Sequence, residues 1–161
     1  MPLQRPGRVW TWKDSPTAAD AEYALTTASL ADDAKRQGVK VSLADAKGRF
    51  ADLFTFEIDV NPTSSPSAAT IVSLYWGGSP SSTAATNNPG GMSGADAAWA
   101  LGEDLLDDLW FIGNYKAAAE DANRTASFSS SIPFANGMPL IWNQLGVALD
   151  DAVVRITELI G

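Results

Sequence analysis

The sequence predicts an all-β fold, an antiparallel β-sandwich of jelly-roll type with about seven or eight strands and one short helix. Three observations carry this. Phe54, Phe56, Ile58 and Val60 alternate with Thr55, Glu57 and Asp59, the period-two pattern of a strand with one buried and one wet face. Several further short runs of apolar and β-branched residues follow, each bounded by Gly, Pro, Ser or Asn. Between them lie none of the long amphipathic helices that a parallel α/β sheet would need.

Taken in order, residues 1–20 read as an extended N-terminal arm and residues 21–161 as the sandwich domain. Pro2, Pro6, Gly7 and Pro16 interrupt regular structure in the first stretch, while Val9, Trp10 and Trp12 call for apolar cover. Tyr23, Leu25, Thr27 and Ser29 fall on one face at period two, so 22–30 is expected as a strand, followed by a turn or short helix ending at Gly38. A short strand is expected over 40–43. The amphipathic strand spans 50–60, and Asn61-Pro62 stops it. Residues 70–76, with Ile71, Val72, Leu74, Tyr75 and Trp76, suit an interior strand between two layers. A long Gly, Ser, Pro and Asn segment occupies 77–95; a loop of that length in a compact domain is functional or pinned by a partner. The short helix is expected over 96–108, and further strands over 109–116, 124–132, 139–144 and 152–160.

Composition narrows the chemistry. The 161 residues make one domain-sized unit with a net charge of −8 and a pI near 4.3. The 11 Lys and Arg residues are scattered without a basic stripe, which argues against direct nucleic-acid binding. No apolar run resembles a signal peptide or a membrane span, so neither a secretory route nor a membrane partner is expected. Histidine and cysteine are both absent, which removes the usual nucleophile–imidazole pairs, thiolate chemistry and the common zinc ligand sets. Gly90-Gly91-Met92-Ser93-Gly94 lacks the lysine of a phosphate loop. Paired carboxylates need neither missing residue, and Glu103, Asp104, Asp107 and Asp108 form the densest acidic group. One reading sets two of them across a sugar cleft beside Trp99 or Trp110; the other makes them the solvated face of a short helix. The second is preferred, because neighbouring acids in one short segment seldom face each other. A calcium loop is also considered, but the ordered alternation of an EF-hand is missing. Asn123-Arg124-Thr125 matches a glycosylation acceptor no better than chance. No catalytic residue, cofactor or metal is expected.

Several segments together carry a resemblance. These are 34–40 (Ala-Lys-Arg-Gln-Gly-Val-Lys), 72–76 (Val-Ser-Leu-Tyr-Trp), 88–98 (from Asn-Pro-Gly-Gly-Met to Asp-Ala-Ala) and 138–149 (from Met-Pro-Leu-Ile-Trp to Val-Ala-Leu). Their order resembles a group of small structural proteins of tailed bacteriophages, from about residue 20 to the end, most specifically over 74–98 and departing over 110–131. The resemblance implies a virion component with a β-sandwich fold and no enzymatic activity, assembled in the bacterial host cytoplasm. Within that class a capsid decoration or cement protein is the first choice, docking on the major capsid protein or other virion proteins. A tail, neck or fibre component is the alternative. Decoration proteins often act as trimers, so a homo-oligomer is expected, with a dimer or a lattice-bound monomer also compatible. An arm and a polar loop that each reach a neighbour would let many weak contacts add.

A glycan- or receptor-binding module is the competing class, since six tryptophans offer stacking faces. Trp76, Trp110 and Trp142 sit inside apparent strands and are expected in the core. Trp10, Trp12 and Trp99 are freer to act as interface anchors. The candidate interface is therefore Val9, Trp10 and Trp12 from the arm, Asn87, Asn88 and Met92 from the loop, and Trp99.

Overall fold

A computed structural model describes residues 5–17, 20–45, 47–100, 102–119 and 123–160. Among them are eleven strands: β1 (Arg5–Lys13), β2 (Glu22–Ala24), β3 (Lys35–Gln37), β4 (Val41–Ser42), β5 (Leu53–Pro62), β6 (Ile71–Ser79), β7 (Ala97–Ala98), β8 (Trp110–Lys116), β9 (Arg124–Ser130), β10 (Asn136–Gln144) and β11 (Leu149–Ile160). Two 3-10 turns, Pro89–Gly91 and Glu103–Asp108, lie between β6 and β8. The strands form two sheets, in the orders β2-β1-β11-β5-β9 and β7-β3-β10-β6-β8, with β4 paired to β10.

The alternation in 53–62 explains the centre of the first sheet. Phe54, Phe56, Ile58 and Val60 are buried, while the residues between them stay partly open to water. β11 repeats the device with Ala152, Val154 and Ile156. The second sheet answers with Val72, Leu74 and Trp76 of β6 and Ile141 of β10, and side chains of both sheets interdigitate as one core. Trp76 is its hub, edge-on to Trp12 at 5.9 Å and to Phe56 at 6.1 Å between ring centroids. Its ring needs the bare backbone of Gly137, where a Cβ would come within 2.5 Å of the indole carbons.

The order of the strands is that of a jelly roll. Leaving aside the short peripheral strands β2, β4 and β7, β1 pairs with β11, β5 with β9 and β6 with β8, all antiparallel. β3 pairs with β10 in the same sense. Early strands thus pair with late ones in nested fashion, and the roll closes where β11 meets β5 and β10 meets β6. A long antiparallel ribbon wrapped into two Greek keys gives this arrangement.

A second apolar cluster lies on the outer face of the six-stranded sheet. Met138 and Leu140 of β10 are covered there by Met92, Trp99, Leu106 and Leu109 from the excursion between β6 and β8. That excursion is anchored by Lys40, which is buried and donates from Nζ to Thr83 O (2.8 Å), Thr86 O (2.9 Å) and Asn88 Oδ1 (2.7 Å). Burial pushes the Lys40 pKa below the usual lysine value. The long polar segment is thus pinned by its own domain.

Several local expectations give way to the structure. Residues 5–13 are a sheet strand rather than an arm; residues 1–4, 18 and 19 lie outside the described residues. Pro6 and Gly7 are absorbed by a bulge between the Pro6–Leu159 and Val9–Thr157 pairs, so they redirect the strand without ending it. Only residues 22–24 of the expected 22–30 strand join a ladder. Thr27 and Ala28 donate their backbone N–H groups to Asp14, and the Thr27 hydroxyl ties to the Ala152 backbone. The stretch before Gly38 is a strand, β3, and the helix expected over 96–108 is β7 followed by a 3-10 turn. Asn61 and Pro62 belong to β5, opposite an irregularity in β11 that receives the proline.

Candidate docking surface

Most of the large apolar side chains left exposed lie towards one end of the roll, on several different strands and loops. Among the described residues the exposed ones are Val9 (45%), Phe50 (38%), Trp110 (46%), Phe111 (53%), Phe134 (41%) and Ile160 (50%). β5 and β8 begin at this end of the sandwich, and β9 and β11 finish there. Ile160 is the last residue of β11, and Phe50 precedes β5 and stacks on Phe54. Trp110 opens β8 and donates from Nε1 to Ser130 Oγ at the end of β9 (3.1 Å). Phe134 flanks Gly78 near the end of β6, and Val9 lies opposite Thr157, three residues before Ile160. The opposite end, where Pro62, Ile71, Lys116 and Gln144 sit, carries no exposed large apolar side chain among the described residues.

The local sequence explains the exposure. β8 is an edge strand, so its first residues lack a neighbour on one side. Leu109, Trp110 and Phe111 are consecutive large apolar residues, and a strand sends successive side chains to opposite faces. Leu109 turns under the cap, Phe111 meets Tyr75 edge-on at 5.4 Å on the outer face, and Trp110, opposite Trp76, is left at the open edge beside β9. A bulge between the Leu74–Gly113 and Tyr75–Phe111 pairs sets this register.

A groove of about 750 Å³ opens beside Phe50 and Ile160, lined also by Arg8, Arg49, Leu53 and Glu158 among others. Its charges are largely matched. Arg8 donates from Nε (3.0 Å) and Nη2 (3.2 Å) to Glu158, and from Nη2 and Nη1 to the Leu43 and Ala44 carbonyls. Arg49 pairs with Asp45 at 2.8 Å. An apolar floor between paired charges suits a polypeptide surface better than a small charged ligand. On the neighbouring outer face, burial raises the Tyr75 hydroxyl pKa, and the negative charges of Glu103 and Asp107 raise it further. Aromatic and acidic groups therefore adjoin there.

The Arg8–Glu158 pair makes stability depend on pH. Hydrogen bonding from Arg8 outweighs burial and holds the Glu158 carboxyl below its ordinary value of 4.5. A carboxyl lowered by folding contributes stability that is full above its unfolded pKa and is lost as pH falls through the folded one. Urea midpoints taken downward from pH 7 are expected to fall below about pH 4.5, and less steeply in Glu158→Gln. Equal slopes for the two proteins would exclude this pair as a contributor.

The sequence-derived interface residues are placed differently from expectation. Trp10 and Trp12 are core residues of β1, 5% and 0% exposed, because their strand lies inside a sheet. Met92 and Trp99 are buried in the outer cluster, where Trp99 Nε1 donates to Gly90 O at 2.8 Å. Asn88 is occupied within its own loop, donating to Ala84 O and Met92 O while accepting from Lys40. Asn87 is exposed on that loop with a φ of 53°, a conformation asparagine tolerates well. Val9 alone of the seven is an exposed large apolar side chain, in the middle of β1. Trp110, expected in the core, is half exposed, and Trp142 is only partly buried, with Lys35 over its ring at 4.3 Å. The acids Glu103, Asp104, Asp107 and Asp108 are all exposed on the cap, and none lines the groove.

The chain matches no protein-family model and no characterised protein.

Proposed function

We propose that this protein is a structural component of a tailed-phage virion, a capsid decoration or cement protein that docks on the head lattice through the apolar end of its jelly roll. The concentration of exposed large apolar side chains at one end supports this reading. Grouping of exposed apolar side chains on a folded domain favours a surface that meets a partner. Four of its residues are aromatic rings, side chains that dominate the energy of protein interfaces. Jelly rolls recur in viral capsids, which supports the class by analogy of fold. The net charge of −8 suits a basic patch on the major capsid protein or another virion protein, and repeated copies would add weak contacts. Mass spectrometry and a cryo-EM map of the purified particle test the proposal. Density for this roll on the head is the expected result; absence of the chain from the particle would overturn it.

A second reading draws on one particular observation. Trp110 and Phe111 are exposed rings next to Tyr75, whose hydroxyl feels two carboxylates, and stacking rings beside hydrogen-bonding acids suit a glycan. Lectin domains share the jelly-roll architecture. In that case host polysaccharide would change the tryptophan fluorescence of the wild type and not of Trp110→Phe. An unchanged wild-type signal would remove the reading.

A further inference from the structure

We infer that two copies of this chain pair through β9, edge to edge and antiparallel about a twofold axis at Ser127, joining their five-stranded sheets into one continuous sheet. Among the described residues the sheet edges are at β2, β9, β7 and β8, with the two-residue β4 also paired on one side only. Unpaired edges invite strand addition, and proteins blunt them by shortness, bulges, lysine or proline. β7 has two residues and β2 has three, with Glu22 of β2 held by Lys13 at 2.8 Å. β8 is broken by its bulge and ends in Lys116.

β9 has none of these protections. Its seven residues, Arg-Thr-Ala-Ser-Phe-Ser-Ser, run in unbroken register against Phe54 to Val60 of β5, without proline, lysine or bulge. Over 125–130 its backbone pairs with β5, and Thr125, Ser127 and Ser129 are exposed. A regular strand with small outward side chains is a template for another strand.

Charge and self-complementarity choose the occupant. The chain carries −8 overall, yet β9 contains no acid; of the acids on the adjacent β5, Asp59 is paired with Arg155, and Glu57 lies one strand in from the edge, opposite Ser127. Centred on Ser127, antiparallel self-pairing sets Ala126 against Phe128, Thr125 against Ser129 and Arg124 against Ser130. No like charges meet, and an aromatic ring gains a cross-strand neighbour. A twofold contact uses the same edge on both copies and stops there, which closes an edge that would otherwise propagate. The arrangement is twofold, in contrast to the trimer implied by the phage resemblance, and it stands whether or not the virion reading does.

Sedimentation velocity across the micromolar range and site-directed cross-linking test it. The wild type is expected to dimerise, more strongly as salt screens the net charge. The chain has no cysteine, so Ser127→Cys introduces a single thiol. Side chains directly opposite in an antiparallel pair have Cβ atoms about 4.5–5.5 Å apart, so oxidation should give a covalent dimer with little strain. Ser65→Cys, in the turn after β5, should not. Ser127→Lys places like charges on the axis and should weaken the dimer about tenfold or more with an unchanged Tm. A monomer at every concentration, or a trimer, would overturn the inference. So would a dimer that neither cross-links through Cys at 127 nor weakens with Lys there, because it would then form through another surface.

Discussion

Trp12→Ala is expected to lower stability by about 3–5 kcal/mol, enough to leave much of the protein unfolded at physiological temperature. Trp12 is fully buried, 5.5 Å from Tyr23 and 5.9 Å from Trp76 between ring centroids, and its Nε1 donates to Val39 O at 2.8 Å. Truncation opens a cavity at the hub of the sandwich and strands a carbonyl in the same step. Trp12→Phe keeps a ring and loses the hydrogen bond, so its loss should be distinctly smaller. Urea unfolding with unchanged m-values checks both. Near-wild-type stability for Trp12→Ala would mean that residues 5–13 are a dispensable arm after all.

Lys40→Met is expected to release the excursion over 80–95 while the sheets survive. Met retains much of the aliphatic stem but cannot satisfy Thr83 O, Thr86 O and Asn88 Oδ1, now left in a partly buried site. The global loss should be about 1–3 kcal/mol. The local effect should be larger: limited proteolysis is expected to cut within 80–95, and hydrogen exchange to accelerate there and not in β5 or β11. Arginine should not rescue it, since a planar guanidinium cannot replace a compact ammonium among these three acceptors. An uncut loop in Lys40→Met would show that the outer apolar cluster alone holds the excursion.

The fold was legible where side-chain period and burial agree. Residues 53–62 alternate cleanly because the first sheet has one wet face, and 71–76 read as interior because both faces of β6 are partly covered. The sandwich class followed from such runs. The strand 5–13 was hidden because Pro6 and Gly7 look like breakers, and no local signal says that a bulge opposite Glu158 will accept them. The helix-like composition around 35 and 96–108 was overridden by pairing with β10 and by the geometry of the cap. The pinning of the loop rests on Lys40, more than forty residues before the atoms it holds.

The docking end was less legible for a related reason. Trp110 and Trp76 have similar neighbours in sequence, but β6 is interior and β8 is an edge, and strand order alone decides which ring is covered. The run Leu109-Trp110-Phe111 held a usable signal, since three large apolar residues cannot all face one side of a strand. Phe50, Phe134 and Ile160 converge only through the nested pairing of early with late strands. Trp10 and Trp12 show the converse, being aromatic rings in a breaker-rich stretch that long-range pairing draws into the core.

Binding of a Trp110→Ser, Phe111→Ser double variant to particles assembled without this chain tests the docking account most directly. Both side chains are about half exposed, so the variant should keep its fold at a lowered Tm, with binding compared at a temperature where both proteins are folded. Wild-type protein is expected to saturate the particles, and the folded variant to lose at least tenfold in affinity, about 1.4 kcal/mol. A folded variant that decorates the particles as well as the wild type would contradict the account, because the apolar end would then have no part in docking.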